Sequence, residues 1–76
     1  MNAKLRKEIE EAKSELEAIK SKIEDIESSE QESFDNMPEG LQQGDKGQQM
    51  ETAISSLQQA SNAIDEAIGE LENAAE

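Results

Sequence analysis

The chain has 76 residues, 19 of them acidic and 7 basic, with no cysteine, no histidine and one aromatic, Phe34. That composition excludes disulfides, thiol catalysis and the usual zinc or haem ligation, and a net charge of −12 disfavours direct binding to nucleic acid or to an anionic membrane while favouring basic partner surfaces. No apolar run exceeds two residues, so neither a transmembrane span nor the apolar core of a secretory signal is expected despite Lys4, Arg6 and Lys7 near the start, and the expected location is the cytoplasm.

In the first half, Leu5, Ile9, Ala12, Leu16, Ile19, Ile23 and Ile26 alternate by four and three within a Glu-, Lys- and Ala-rich background. This spacing predicts a helix from about residue 3 to about residue 36. Pro38 biases Met37 away from helical angles, and Asp35, Asn36 and Gly40 add turn chemistry, so a loop is expected over about 37–44. Asp45 is expected to cap a second helix, with Gln48 in the capping-box position, running over about 45–74. Along it Met50, Ile54, Leu57, Ser61, Ile64, Ile68 and Leu71 repeat the same alternation. So short a connection makes the two helices antiparallel neighbours. The expected fold is all-α: one coiled-coil-like helical hairpin over residues 1–76.

Register follows from matching the two rows. Ile9 falls against Leu71, Ala12 against Ile68, Leu16 against Ile64, Ile23 against Leu57 and Ile26 against Ile54, while Ile19 meets the polar Ser61. The same alignment sets the basic flank Arg6, Lys13, Lys20 along Glu72, Asp65 and Gln58. Exposed pairs of this kind contribute only about 0 to 1 kcal/mol each, so they select the alignment more than they stabilise it. They also compensate basic residues at the start of one helix and acidic ones at the end of the other, each of which opposes its own helix dipole.

A second stripe runs beside the apolar row of the later helix: Ala53, Ser56, Ala60, Ala63, Ala67 and Ala74. Small side chains let helix backbones approach closely, and Gly69 is expected to serve the same end. A chain this short builds a marginal core alone. The stripe is therefore expected to be an oligomer interface, the second helix packing on that of another copy in a four-helix bundle dimer or higher oligomer. The plainer alternative is that alanine simply favours helix on a half-exposed flank.

Chemistry-bearing constellations are missing. Nucleophilic triads lack a base, no glycine-rich phosphate loop occurs, and the core positions hold Ile, Leu, Ala and Ser where carboxylate-bridged metal sites need Glu. No enzyme activity and no cofactor are expected. Asp35 and Gly40 match two positions of a calcium loop, but Met37 stands where the third ligand belongs and Lys46 replaces the bidentate Glu, leaving a turn. Phe34, Met37, Pro38 and Leu41 form a candidate recognition loop, which with Met50 would otherwise plug the end of the core. Glu10, Glu17, Glu24, Glu11, Asp25 and Glu32 make acidic stripes that invite comparison with a DNA mimic, although Ser14, Ser21 and Ser28 interrupt them as on a solvated outer face.

The loop FDNMPEGLQQG, Phe34 to Gly44, followed by the recurring Ala53-Ile54 and Ala67-Ile68 pairs, resembles small uncharacterised acidic helical-hairpin proteins of phages and prophages. The resemblance implies a phage-encoded accessory protein of the bacterial host cytoplasm, with no reaction or site residues to carry over. By analogy at fold level it suggests an inhibitor that binds or sequesters a host component, counter-defence included. Three other functions compete: an acidic DNA mimic, a structural coiled-coil component of a viral assembly, and an oligomeric small-ligand sponge in which Lys4, Arg6 and Lys7 of several copies converge.

Overall fold

A computed structural model describes residues 1–76 and contains three helices and no strand: α1 (Ala3–Asp35), α2 (Glu39–Gln42) and α3 (Asp45–Ala74). α1 begins where Asn2 Oδ1 accepts from the Leu5 amide at 2.9 Å, satisfying one of the orphan donors of the first turn. It stops at Asn36, whose N–H still donates to the Glu32 carbonyl at 3.0 Å, and Pro38, with φ −56° and ψ 143°, then turns the chain out of the helical path.

The connection differs from the expected plain loop. Proline carries no amide to satisfy and its φ suits a helix entry, so Pro38 opens the one-turn α2, its carbonyl accepting from Leu41 and Gln42 at 2.9 and 3.1 Å. The Gln42 side chain donates back to the Phe34 carbonyl at 2.9 Å, tying this turn to the end of α1. Asp45 is not the cap of α3. That position falls to Gly44, in extended conformation with no side-chain hydrogen bond. Asp45 is instead the first helical residue, where its charge favours the positive end of the helix dipole. No residue adopts positive φ, so the reversal is built from ordinary backbone angles and the short α2.

α1 and α3 lie antiparallel in a rod of 58 × 15 × 11 Å with a radius of gyration of 17.3 Å, against about 11 Å for a compact chain of this length. Three polar contacts join them: Lys13 Nζ to Glu72 at 3.4 Å, Lys20 Nζ to Asp65 at 2.8 Å, and Gln58 Nε2 donating to Glu27 at 2.9 Å. The partners advance by seven on α1 as they retreat by seven on α3, which is a single antiparallel register. It lies one heptad from the expected one: Glu72, Asp65 and Gln58 meet Lys13, Lys20 and Glu27 instead of Arg6, Lys13 and Lys20, so the layers pairing Ile9 with Leu71 and Ile19 with Ser61 do not form as expected. Arg6 takes no part, because α3 ends before reaching it. No helix is long and apolar enough to cross a membrane.

The interior is thin. Only Gly47, Ile54 and Ser61 are buried. Ile9, Leu16 and Ile23 on α1 and Met50, Leu57, Ile64, Ile68 and Leu71 on α3 are half-buried. Leu5, Ile19 and Ile26, expected inside, remain 43, 49 and 48% exposed. All three belong to one row at multiples of seven, on the side of the seam away from the ion pairs. Two cylinders meet along a line, and this line runs closer to the row that neighbours Lys13 and Lys20; Leu5 in addition lies beyond the end of α3.

Two glycines separate cleanly. A Cβ at Gly47 would overlap the Gln42 backbone carbonyl, whereas one at Gly69 would meet nothing within 4 Å; the close approach expected at Gly69 is absent within the chain. Gly47→Ala should therefore lose about 1 to 3 kcal/mol through forced displacement of the turn. Gly69→Ala should gain about 0.5 to 1 kcal/mol from helix propensity. Urea unfolding followed by circular dichroism measures both, and a stabilised Gly47→Ala would show that the α2–α3 approach is not close.

Candidate interaction surfaces

The main candidate surface is the uncovered side of the seam. One wall is the α1 row Leu5, Ala12, Ile19, Ile26; the other is the alanine row of α3. With the observed register, Ile26 lies about level with Ala60, Ile19 with Ala67 and Ala12 with Ala74, while Leu5 lies beyond the end of α3. Near the turn the two walls enclose an open groove of about 530 Å³ lined by Ile26, Ser29, Glu30, Ser33, Ala53, Ser56 and Leu57. Of the small residues, Ala53 and Ala60 are half-buried, while Ser56, Ala63, Ala67 and Ala74 are exposed. No element of the chain covers this face. Heptad spacing marks Leu5, Ile19 and Ile26 as core, so periodicity alone does not reveal them as surface; the usable signal is that α3 has a third apolar row, which one partner helix cannot cover.

On the opposite side Gln31, Phe34, Glu51, Ile54, Ser55 and Gln58 line a smaller groove of about 220 Å³. The candidate loop divides accordingly. Phe34 and Met37 are half-buried, Pro38 is exposed, and Leu41 stands out at the tip with 58% exposure. The acidic stripe residues Glu10, Glu11, Glu17, Glu24, Asp25 and Glu32 all face solvent. Asp45, Gln48, Gln49 and Thr52 border a polar depression on a single helix, and nowhere do three His, Cys, Asp or Glu side chains gather as a metal site would need. No family model, curated protein or solved structure matches the chain.

Electrostatics separate the two flanks of the seam. At Lys13 desolvation pulls the ammonium pKa down, but the carboxylates of Glu10 and Glu72 outweigh it and hold the group above the ordinary lysine value. At Lys20 the hydrogen bond to Asp65 raises it, desolvation opposes, and the charges of Asp65 and Glu24 add to the rise. Both cations lie on one flank; the uncovered face has no such ladder.

At the centre of the seam Ser61 is 6% exposed, and its hydroxyl has no hydrogen-bond partner. A buried unpaired hydroxyl costs about 1 to 3 kcal/mol. Ser61→Ala should accordingly raise stability by about 1 kcal/mol, read from the urea midpoint at unchanged slope. The lysines give a pH signature. Their folded-state values lie above the ordinary 10.5, so the stability they add is complete below that value and is lost as pH climbs through the raised values. Melting temperature should fall between about pH 10 and 12, with no cysteine or tyrosine titrating there. The double variant Lys13→Met, Lys20→Met should flatten that fall, and an unchanged pH profile would show that the ladder does not form.

Proposed function

We propose that this protein is a non-enzymatic helical interaction module, phage-encoded, that self-associates and acts by binding and sequestering a component of the bacterial host. The single observation that carries the binding reading is the separation of surfaces on one rigid hairpin. An apolar face runs along one side of the seam, and exposed carboxylates occupy the outer face of α1. Uncovered apolar surface of this extent marks association in a small protein. A field from a net charge of −12 steers the molecule toward cationic clefts and raises association rates with basic partners. The phage assignment and the counter-defence role rest on the likeness of the Phe34–Gly44 loop to phage hairpin proteins.

Affinity capture with the tagged full chain from bacterial lysate tests this reading. One stoichiometric basic partner is expected, with affinity falling roughly tenfold on raising salt from 0.05 to 0.5 M, as for charge-steered complexes. Glu17→Lys with Glu24→Lys should weaken recovery further. Competition by duplex DNA for that same partner would favour the DNA-mimic reading instead, and recovery of background alone would remove the sequestering function.

A further inference from the structure

We infer that the uncovered face is closed by a second copy of this chain, in a four-helix bundle whose two-fold axis runs parallel to the helices so that both turns lie at the same end. This rests on the self-association proposed above and specifies its face and symmetry.

Surface area is the first argument. The hairpin exposes 5467 Å², whereas a compact monomer of 8.4 kDa exposes about 4,600 Å². The excess of about 850 Å² matches the roughly 800 Å² per partner that a standard stable interface removes from water. Of the five exposed large apolar side chains, Leu5, Ile19 and Ile26 lie on this one face, so the excess is concentrated where a partner would remove it.

Shape is the second. The face has one row of large side chains, Leu5, Ile19 and Ile26, and one row of alanines, and these run side by side from Ile26 through Ala12. The cross-helix contacts set Ile26 about level with Ala60 and Ile19 with Ala67, while Leu5 lies beyond the end of α3. A two-fold axis along the hairpin sets α1 of each copy opposite α3 of the other, large row against small row, and leaves heights unchanged. Ile19 and Ile26 then meet Ala67 and Ala60 of the partner copy with no shift of register, and all neighbouring helices run antiparallel, which lets their dipoles compensate. An axis across the hairpin would set large row on large row and alanine on alanine. Those two packings demand separations near opposite limits of the usual 8 to 10 Å, on a hairpin whose helices are held roughly parallel.

Charge is the third. The alanine side of α3 carries Glu70 as its one ionised group between Ala53 and Ala74, whereas Glu10, Glu17 and Glu24 occupy the far side of α1. Two chains of −12 thus meet on faces with fewer carboxylates than the outer face of α1, Glu8, Glu15, Glu30 and Glu70 standing at their edges. Self-association should therefore strengthen with salt as the remaining repulsion is screened, the reverse of binding to a basic partner.

Light scattering on the full chain, with a nitroxide on Gln43→Cys at the exposed turn, tests the assignment. The expected result is a dimer with an inter-label distance under about 30 Å, two helix diameters plus the label arms. A dimer whose labels lie near the 58 Å length of the rod would overturn the symmetry while leaving self-association standing. A monomeric mass at all salt concentrations would overturn both. Ile19→Glu should weaken the dimer at least about tenfold; because it also touches the seam, Ala67→Glu serves as the second variant, at a position exposed in the single chain. Retention of full dimer mass by Ala67→Glu would exclude this face. These readouts use no host partner, so failure to capture one would leave the inference intact.

Discussion

The offset line of contact between α1 and α3 governs the rest of the molecule. Each helix carries more apolar surface than a single partner can cover, because two cylinders touch along a line while each apolar arc spans two rows or more. Rotation about the helix axes decides which rows go inside. Here Lys13–Glu72, Lys20–Asp65 and Gln58–Glu27 lie along one flank, and Ile54 and Ser61, next to that flank on α3, are the residues most enclosed. Individually such pairs are weak. Acting together on two nearly equivalent rotations, they suffice to seat the contact on their side and leave Leu5, Ile19 and Ile26 at the opposite edge.

The turn cooperates with that seating. α2 is only four residues long, yet it makes the connection stiff: Pro38 supplies its entry, Gln42 reaches back to the Phe34 carbonyl, and Gly47 lets the start of α3 pass against the Gln42 backbone. A stiff turn transmits register. A slip of one heptad would separate Lys20 from Asp65, and any smaller slip would carry the apolar rows off the seam. Ser61 is tolerated within this arrangement although its hydroxyl is unpaired, because its small volume fits the most enclosed layer of a thin interior.

From this geometry the connection to binding is direct. A chain with so little enclosed surface has limited stability of its own, and whatever binds the folded form adds to it by mass action. The apolar row and the main acidic stripes are on different sides of the rod, so the proposed self-association and the proposed capture of a basic partner would not compete for the same residues. The opposite responses to salt expected of the two proposals follow from the same charge distribution, since screening relieves repulsion between like chains and weakens attraction to unlike ones.

Much of the fold was legible in the chain itself. The alternation of Leu5 through Ile26 and of Met50 through Leu71 defines two helices, Pro38 breaks them, and the charged flanks fix the register only to within a whole heptad, because periodicity, proline stereochemistry and charge order are local or one-dimensional properties. What the tertiary structure alone decided is of another kind. That Gly44 rather than Asp45 caps α3, that Gly47 and not Gly69 sits at a close approach, that Lys13 and not Arg6 meets Glu72, and that Leu5, Ile19 and Ile26 face outward all depend on how far each helix is rotated and how the turn is folded. A heptad pattern names the rows on a helix but leaves open which of two adjacent rows meets the partner; only the packing of both helices and their connection at once resolves that rotation.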